Sequence, residues 1–199
     1  MNRESEIRKL ERGRAEFAYR CVEEVIELRS LNNLGFVEKV VENFKNKVFE
    51  ELKKEIEKGS IKKERIEEIL SFPRKIEEKR LNDHEKKVFE KYKKYKENYS
   101  SYTKKLPTMI LSNGLGQTLA FVKSKAKDGN AYELLYAQMS EYMKSNSVIR
   151  IQMPPDKNEL IEWVISCNSK EYRWITQELL AFLNWLKRFT EGMIEEEGE

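Results

Sequence analysis

The chain is poor in the residues from which most catalytic and metal sites are built. It holds one histidine, two cysteines and three aspartates in 199 residues. The histidine, His84, sits in a charged stretch with Asp83, Glu85, Lys86 and Lys87. It reads as a solvated side chain at a helix start, and no second histidine exists to serve a Ser, Thr or Cys nucleophile. Cys21 and Cys167 lie far apart and form no metal spacing or disulfide framework. They fit a reducing cytosol, so a cytoplasmic location is expected. Eight glycines and four prolines are few for this length, which excludes collagen-like and low-complexity chains and argues against an all-β sandwich. No apolar run approaches the roughly 18 residues that a membrane span needs. The opening MNRESEIRKL has no apolar core of a secretory signal.

Charge is what the chain has in excess. Charged residues make up 37% of it, against about 25% in an average soluble domain. The 38 Lys and Arg nearly balance 35 Asp and Glu, for a formal net charge of +3. The balance is uneven along the chain. Residues 1–95 and 96–190 are each mildly basic, while the final EGMIEEEGE holds five acids and no base. A free-standing high-affinity nucleic-acid binder is normally more basic. A subunit that adds a few phosphate contacts to a larger assembly need not be.

Hydrophobic periodicity predicts a chain made of helices. Phe17, Cys21, Val25 and Leu28 mark one apolar stripe, on a helix from about Ser5 to Leu31 that Asn32, Asn33 and Gly35 end. Phe36, Val40, Val41, Phe44, Val48 and Leu52 mark a second, stopped by Gly59. Ser60 is placed to cap a short helix carrying Ile66, Ile69 and Leu70. Asn82 or Asp83 starts the next, which Pro107 should break, kink or restart. Asp128-Gly129-Asn130 is a turn, Pro154-Pro155 fixes a loop, and Asp156 is placed to cap a short helix. The last helix runs from about Ser169 to Glu195. The expected fold is all-α: a compact bundle of about six core helices in a single domain, 1–199, ending in an acidic tail at 195–199.

Three patterns bear on function. Tyr92, Tyr95, Tyr99 and Tyr102 share one helix face, as a base-stacking platform or as a face packed on the core. Asn113-Gly114-Leu115-Gly116 superficially suggests a phosphate loop but lacks the lysine and the preceding strand. Paired glycines there read instead as a place where a second helix approaches closely. On the last helix, Lys170 and Arg188 fall at one angle of the wheel with Arg173 and Lys187 in the same sector, opposite Ile175, Leu179, Phe182 and Leu186. Lys104, Lys105, Lys123, Lys125 and Lys127 form a second basic set around Pro107 and after it. Both sets read either as phosphate contacts or as ordinary solvated faces.

Two segments carry a family resemblance. LPTMILSNGLGQTLAFVKSKA (106–126) and EYRWITQELLAFLNWLKRFTEGM (171–193) resemble the signature stretches of the small helical subunit of the type III-B CRISPR effector, the Cmr complex. RGRAEFAYRCVEEV (12–25) is similar to that family's first helix. The stretch 32–93 departs from it and reads as a family-atypical helical insertion.

The resemblance implies a non-catalytic subunit without cofactor or metal, whose copies line up as an inner filament beside the guide-RNA backbone. Its partners would be further copies of itself, the backbone subunit, the large polymerase-like subunit, and guide and target RNA, with no membrane. Wheel position and the matching segments together single out Lys104, Lys105, Lys123, Lys125, Lys127, Arg173, Lys187 and Arg188 for contact with RNA phosphates. The rival readings are a stand-alone helical RNA- or DNA-binding module and a purely structural scaffold. A nuclease using the tail acids Glu195, Glu196 and Glu197 is a more distant one.

Overall fold

Asn82 and Asn168 begin the two helices that organise the molecule, and both do so by the same chemistry. The Asn82 side-chain oxygen accepts from the backbone N–H groups of His84 and Glu85 at 3.0 Å, and Glu85 returns a carboxylate to the Asn82 N–H at 2.9 Å. Asn168 and Glu171 repeat this reciprocal cap. Each cap satisfies donors that a helix start otherwise leaves unpaired. Asn82→Ala is therefore expected to lower stability by about 1 kcal/mol, read as a shifted urea midpoint with unchanged slope. No shift would mean that tertiary packing alone sets this helix start.

The computed structural model describes residues 5–29, 35–145 and 151–195. Among these the chain forms nine α-helices and no strand, as the periodicity predicts: α1 (Glu6–Glu27), α2 (Gly35–Glu51), α3 (Lys53–Glu57), α4 (Lys63–Ser71), α5 (Asp83–Asn113), α6 (Leu115–Lys125), α7 (Ala131–Ser145), α8 (Leu160–Ser166) and α9 (Ser169–Thr190). Two 3₁₀ turns, Pro73–Lys75 and Glu78–Arg80, lead from α4 into α5, and a π turn, Glu191–Glu195, follows α9. The expected punctuation at Asn32 and Asn33 and the tail 196–199 lie outside the described residues.

Several local expectations need correction. Ser60 does not cap α4: its N–H closes the end of α3 on Glu55 O at 2.9 Å, beside Gly59 N–H on Ile56 O at 2.9 Å. This is the paired bonding of a helix end closed through a left-handed glycine, and α4 starts later, after Lys62. Asp156 sits in a turn closed by Lys157 N–H on Pro154 O at 3.0 Å, so α8 starts after Glu159 instead. Pro107 neither ends nor starts a helix. It is buried inside α5, which continues to Asn113 and breaks at Gly114. Gly114 separates the two helices, Gly116 lies in the first turn of α6, and the Tyr172 hydroxyl of α9 comes close to both, accepting the Gly116 N–H at 2.9 Å. His84 is half-buried, with Nδ1 covered.

Packing follows the apolar stripes. α9 lies along α1 and α5, while α7 is covered by α2, α5 and α6. Tyr142 and Phe182 stack at 4.3 Å, with Phe17 edge-on at 5.3 and 5.9 Å, joining α7, α9 and α1. Tyr92, Tyr95 and Tyr99 are core residues. Tyr92 donates to Ile26 O at 2.8 Å and Tyr99 to Gln138 at 2.7 Å. The tyrosine face is thus a packed one, and only Tyr102 reaches its rim.

The helices of 32–93 pack on this core. α2 lies against α7 and α4 lies on α5. Glu141 of α7 accepts the Val37 N–H at 3.1 Å in the first turn of α2, where a carboxylate meets the positive end of the helix dipole. Along α5, Lys87 pairs with Glu55 at 3.3 Å, Lys91 with Glu51, and Glu85 with Arg65 at 2.7 Å.

Candidate RNA-contacting surface

From Asn98 to Lys127 the chain contains no carboxylate side chain, in a protein with 35 of them. The second half of α5 and all of α6 fall in this stretch. Five of the eight candidate cations lie here. Lys105, Lys123, Lys125 and Lys127 are exposed and Lys104 is half-buried. α6 packs on α5 and α7. Phe121 of α6 and Tyr102 of α5 both rest on Tyr132 at the start of α7, which brings the end of α6 beside the middle of α5. Through Tyr132 the Phe121 ring, with Lys125 over it, is linked to Tyr102 of α5, one turn before Lys105, while the five lysines are spread over both helices and the turn after α6.

They are not equivalent. The Lys123 ammonium lies 2.8 and 2.9 Å from the two carboxylate oxygens of Glu159, above the Tyr136 ring at 4.9 Å. Tyr136 also donates to Glu159 at 3.1 Å. A phosphate at Lys123 would have to compete with a built ion pair that ties α6 to the approach of α8. Lys125 has no carboxylate placed over it in this way; its ammonium rests 5.9 Å from the centroid of Phe121.

The three candidates on α9 stand apart from this set and from each other. Arg173 is in the first turns of α9 and donates to Ser169 O at 3.3 Å. It borders a shallow groove with Asn113, Gly116, Gln117 and Tyr172, at the opposite end of α6 from Lys125. Lys187 is half-buried, 3.9 Å from Glu191. Arg188 lies 5.5 Å from the Trp185 ring centroid, and Trp185 donates to Glu11 of α1 at 2.9 Å. The common wheel sector of α9 is real, but the sector spans the length of α9 and passes over two different neighbourhoods.

Wheel reasoning placed Tyr102 on the tyrosine face but missed Phe121 and Tyr132, the rings that join it beside the α5–α6 lysines. The three rings come from three helices, so no single period reveals them. The absence of acids from 98 to 127 was the signal available in the sequence. Among the described residues, no group of three His, Cys, Asp or Glu is placed to hold a metal ion, and no helix is long and apolar enough to cross a membrane. The acids Glu196 and Glu197 and the side chain of Glu195 lie outside the described residues.

Comparison with known proteins adds the family. A family model described as CRISPR-associated protein (Cas_Cmr5) matches residues 76–193. The CRISPR system Cmr subunit Cmr5 of Thermus thermophilus is 33% identical over 98 residues, covering 49% of this chain and 76% of that protein. The model match takes in α5 through α9 and so all eight candidate cations, while α2, α3 and α4 precede it. Through these matches, over the half of the chain that carries the basic flank, the chain belongs to the Cmr5 family of CRISPR-associated proteins.

Proposed function

We propose that the chain is a non-catalytic small subunit of a type III-B Cmr RNA-guided effector in antiviral defence. In this reading it acts in the cytoplasm, needs no cofactor, and sits in an inner filament of like subunits beside the guide-RNA backbone. It borders the backbone subunit and the large polymerase-like subunit, and its lysines touch phosphates of the target strand. Base pairing with the guide reads the sequence, and the protein meets backbone charge and shape. The observation that carries this is the stretch 98–127, which holds no carboxylate of its own and places its lysines on α5, α6 and the turn after them inside the family-matched region.

Of the eight candidates, Lys104, Lys105, Lys125 and Lys127 form the principal contact set. Arg173 is a separate contact at the far end of α6, and Lys187 and Arg188 are peripheral ones. Lys123 contributes least, because Glu159 already neutralises it. The stretch 32–93 braces the bundle through α2 on α7 and α4 on α5.

The test is target-RNA binding by the reconstituted complex across a salt series. Replacing Lys104, Lys105, Lys125 and Lys127 together by alanine should weaken binding on the order of 10-fold or more. The slope of log affinity against log salt should become shallower by about 0.7 for each phosphate that no longer meets a lysine. Lys123→Ala alone should change neither. If the four-lysine variant binds with native affinity and slope, the RNA-contacting reading fails. The scaffold reading, which the Lys123–Glu159 and Lys187–Glu191 pairs favour, then takes its place.

A further inference from the structure

Phe121 is a large apolar side chain left 37% exposed in the middle of the basic flank. Its ring is held in place. It meets Tyr132 edge-on at 5.8 Å with an interplanar angle of 87°, and Tyr132 stacks on Tyr102 at 3.8 Å and 13°. Tyr102 and Tyr132 are half-buried, so the outer ring stands on a fixed two-ring base built from α5 and α7. Lys125 follows Phe121 by one helical turn and holds its ammonium over that ring at 5.9 Å. Lys105 follows Tyr102 by one turn on α5 and is exposed.

A cation resting on an exposed ring is a weak contact, about 0.5–1 kcal/mol, and it is readily exchanged for a phosphate. The ring face it leaves suits a nucleobase, whose π-face stacks on aromatic side chains without regard to sequence. We infer that Phe121, braced by Tyr132 and Tyr102, is a stacking platform for one unpaired nucleobase of RNA, with Lys125 moving from the ring to the adjoining phosphate. This inference rests on the RNA-contacting reading above.

The charge around the ledge selects this occupant. No carboxylate occurs in the sequence between Glu97 and Asp128; Glu159 meets Lys123 on α6, and it is Lys125 that lies over the Phe121 ring. The molecule has a second exposed aromatic ledge, where Tyr19, Phe189 and Trp185 meet at 5.6 and 5.8 Å. There Glu11 accepts from Trp185, and Glu23 raises the Tyr19 hydroxyl pKa through its hydrogen bond and charge. Arg188 lies over Trp185 as well, so that ledge carries mixed charge, whereas the charged side chain placed over Phe121 is a lysine.

The experiment uses the reconstituted complex and a fluorescein-labelled RNA that is complementary to the guide and carries unpaired nucleotides within and beside the complement. Phe121→Leu keeps apolar volume against Tyr132 and removes the π-face; Phe121→Trp restores one. The leucine variant should lose roughly 5- to 20-fold in affinity, within the range measured for single base–aromatic stacks. Its salt slope should stay native because every lysine remains, and the tryptophan variant should bind at least as well as the native chain. If Phe121→Leu binds natively while the four-lysine variant is weakened, the stacking platform is wrong and the RNA-contacting reading stands. If neither variant changes binding, both fall. If Phe121→Leu lowers incorporation of the subunit, with native RNA affinity in the complexes that form, the ring is a protein contact and the inference is overturned.

Discussion

Arg14→Leu is expected to destabilise the fold by about 3–5 kcal/mol, although Arg14 lies on α1 and far in sequence from the basic flank. Its guanidinium donates to both carboxylate oxygens of Glu178 on α9, at 2.8 and 2.6 Å. The two side chains are only 12% and 9% exposed. Tyr142 of α7 donates a very short hydrogen bond to the same carboxylate, so one buried anion joins three helices. Glu178 holds the Arg14 proton more firmly than in an ordinary arginine, through its hydrogen bonds against the cost of burial. Deleting the cation leaves the anion in the core with a tyrosine hydroxyl for company. A buried charge without its partner is strongly destabilising, whereas replacing both members by apolar groups is often close to neutral. The double variant Arg14→Leu, Glu178→Leu should therefore lose less stability than Arg14→Leu alone, a non-additivity that a double-mutant cycle reads directly. In a chain of this size the single variant should melt about 6–20 °C lower. A loss below about 1 kcal/mol would show that water reaches Glu178 and that the three-helix junction is not held by charge.

What could be read from the sequence was what one helix determines by itself. The apolar stripe of α9, the start of α5 at Asn82 and the turn at 128–130 each depend on neighbours within a few residues, and each is found where the spacing puts it. The tyrosine face needed one step more. Spacing shows that four rings share a side, but burial decides between platform and core, and the core has three of them. Contacts between distant segments were not legible. Arg14 and Glu178 are 164 residues apart, and nothing in either helix announces the other. Lys123 reads as an exposed lysine until Glu159, 36 residues on, is seen to hold it. Two cap assignments failed for a related reason. Ser60 and Asp156 are of the right residue type, but the Ser60 N–H is committed to closing α3 and Asp156 sits inside a turn closed by Lys157 on Pro154. The candidate surface was half legible: the lysines follow from composition, and the ring ledge among them exists only once three helices are packed.

Gly129→Ala tests whether the helices of 32–93 are integral to the fold. Gly129 turns the chain from α6 into α7 at a φ of +71°. A Cβ there would stand 2.1 Å from the backbone nitrogen of Phe44 and 2.6 Å from the Val40 carbonyl oxygen, both in α2. No rotamer change relieves a collision between a Cβ and a helix backbone; α2 itself must shift. Gly59 supplies the control, since it has the same φ of +71° with nothing within 4 Å of a Cβ. Gly59→Ala should carry only the backbone term for a left-handed residue, about 1–2 kcal/mol. Gly129→Ala carries that term and the displacement of α2 from α7, for a total of about 2–5 kcal/mol. Phe44 stacks on Tyr95 at 4.2 Å, so the shift passes from the turn through α2 into the face of α5. The difference between the two variants, measured by urea unfolding, isolates the contact between this turn and α2. A large difference makes α2 part of the cooperative unit that supports the basic flank. Equal losses would mean that α2 lifts from the turn at little cost, and that the bundle holds its shape without the insertion's first helix.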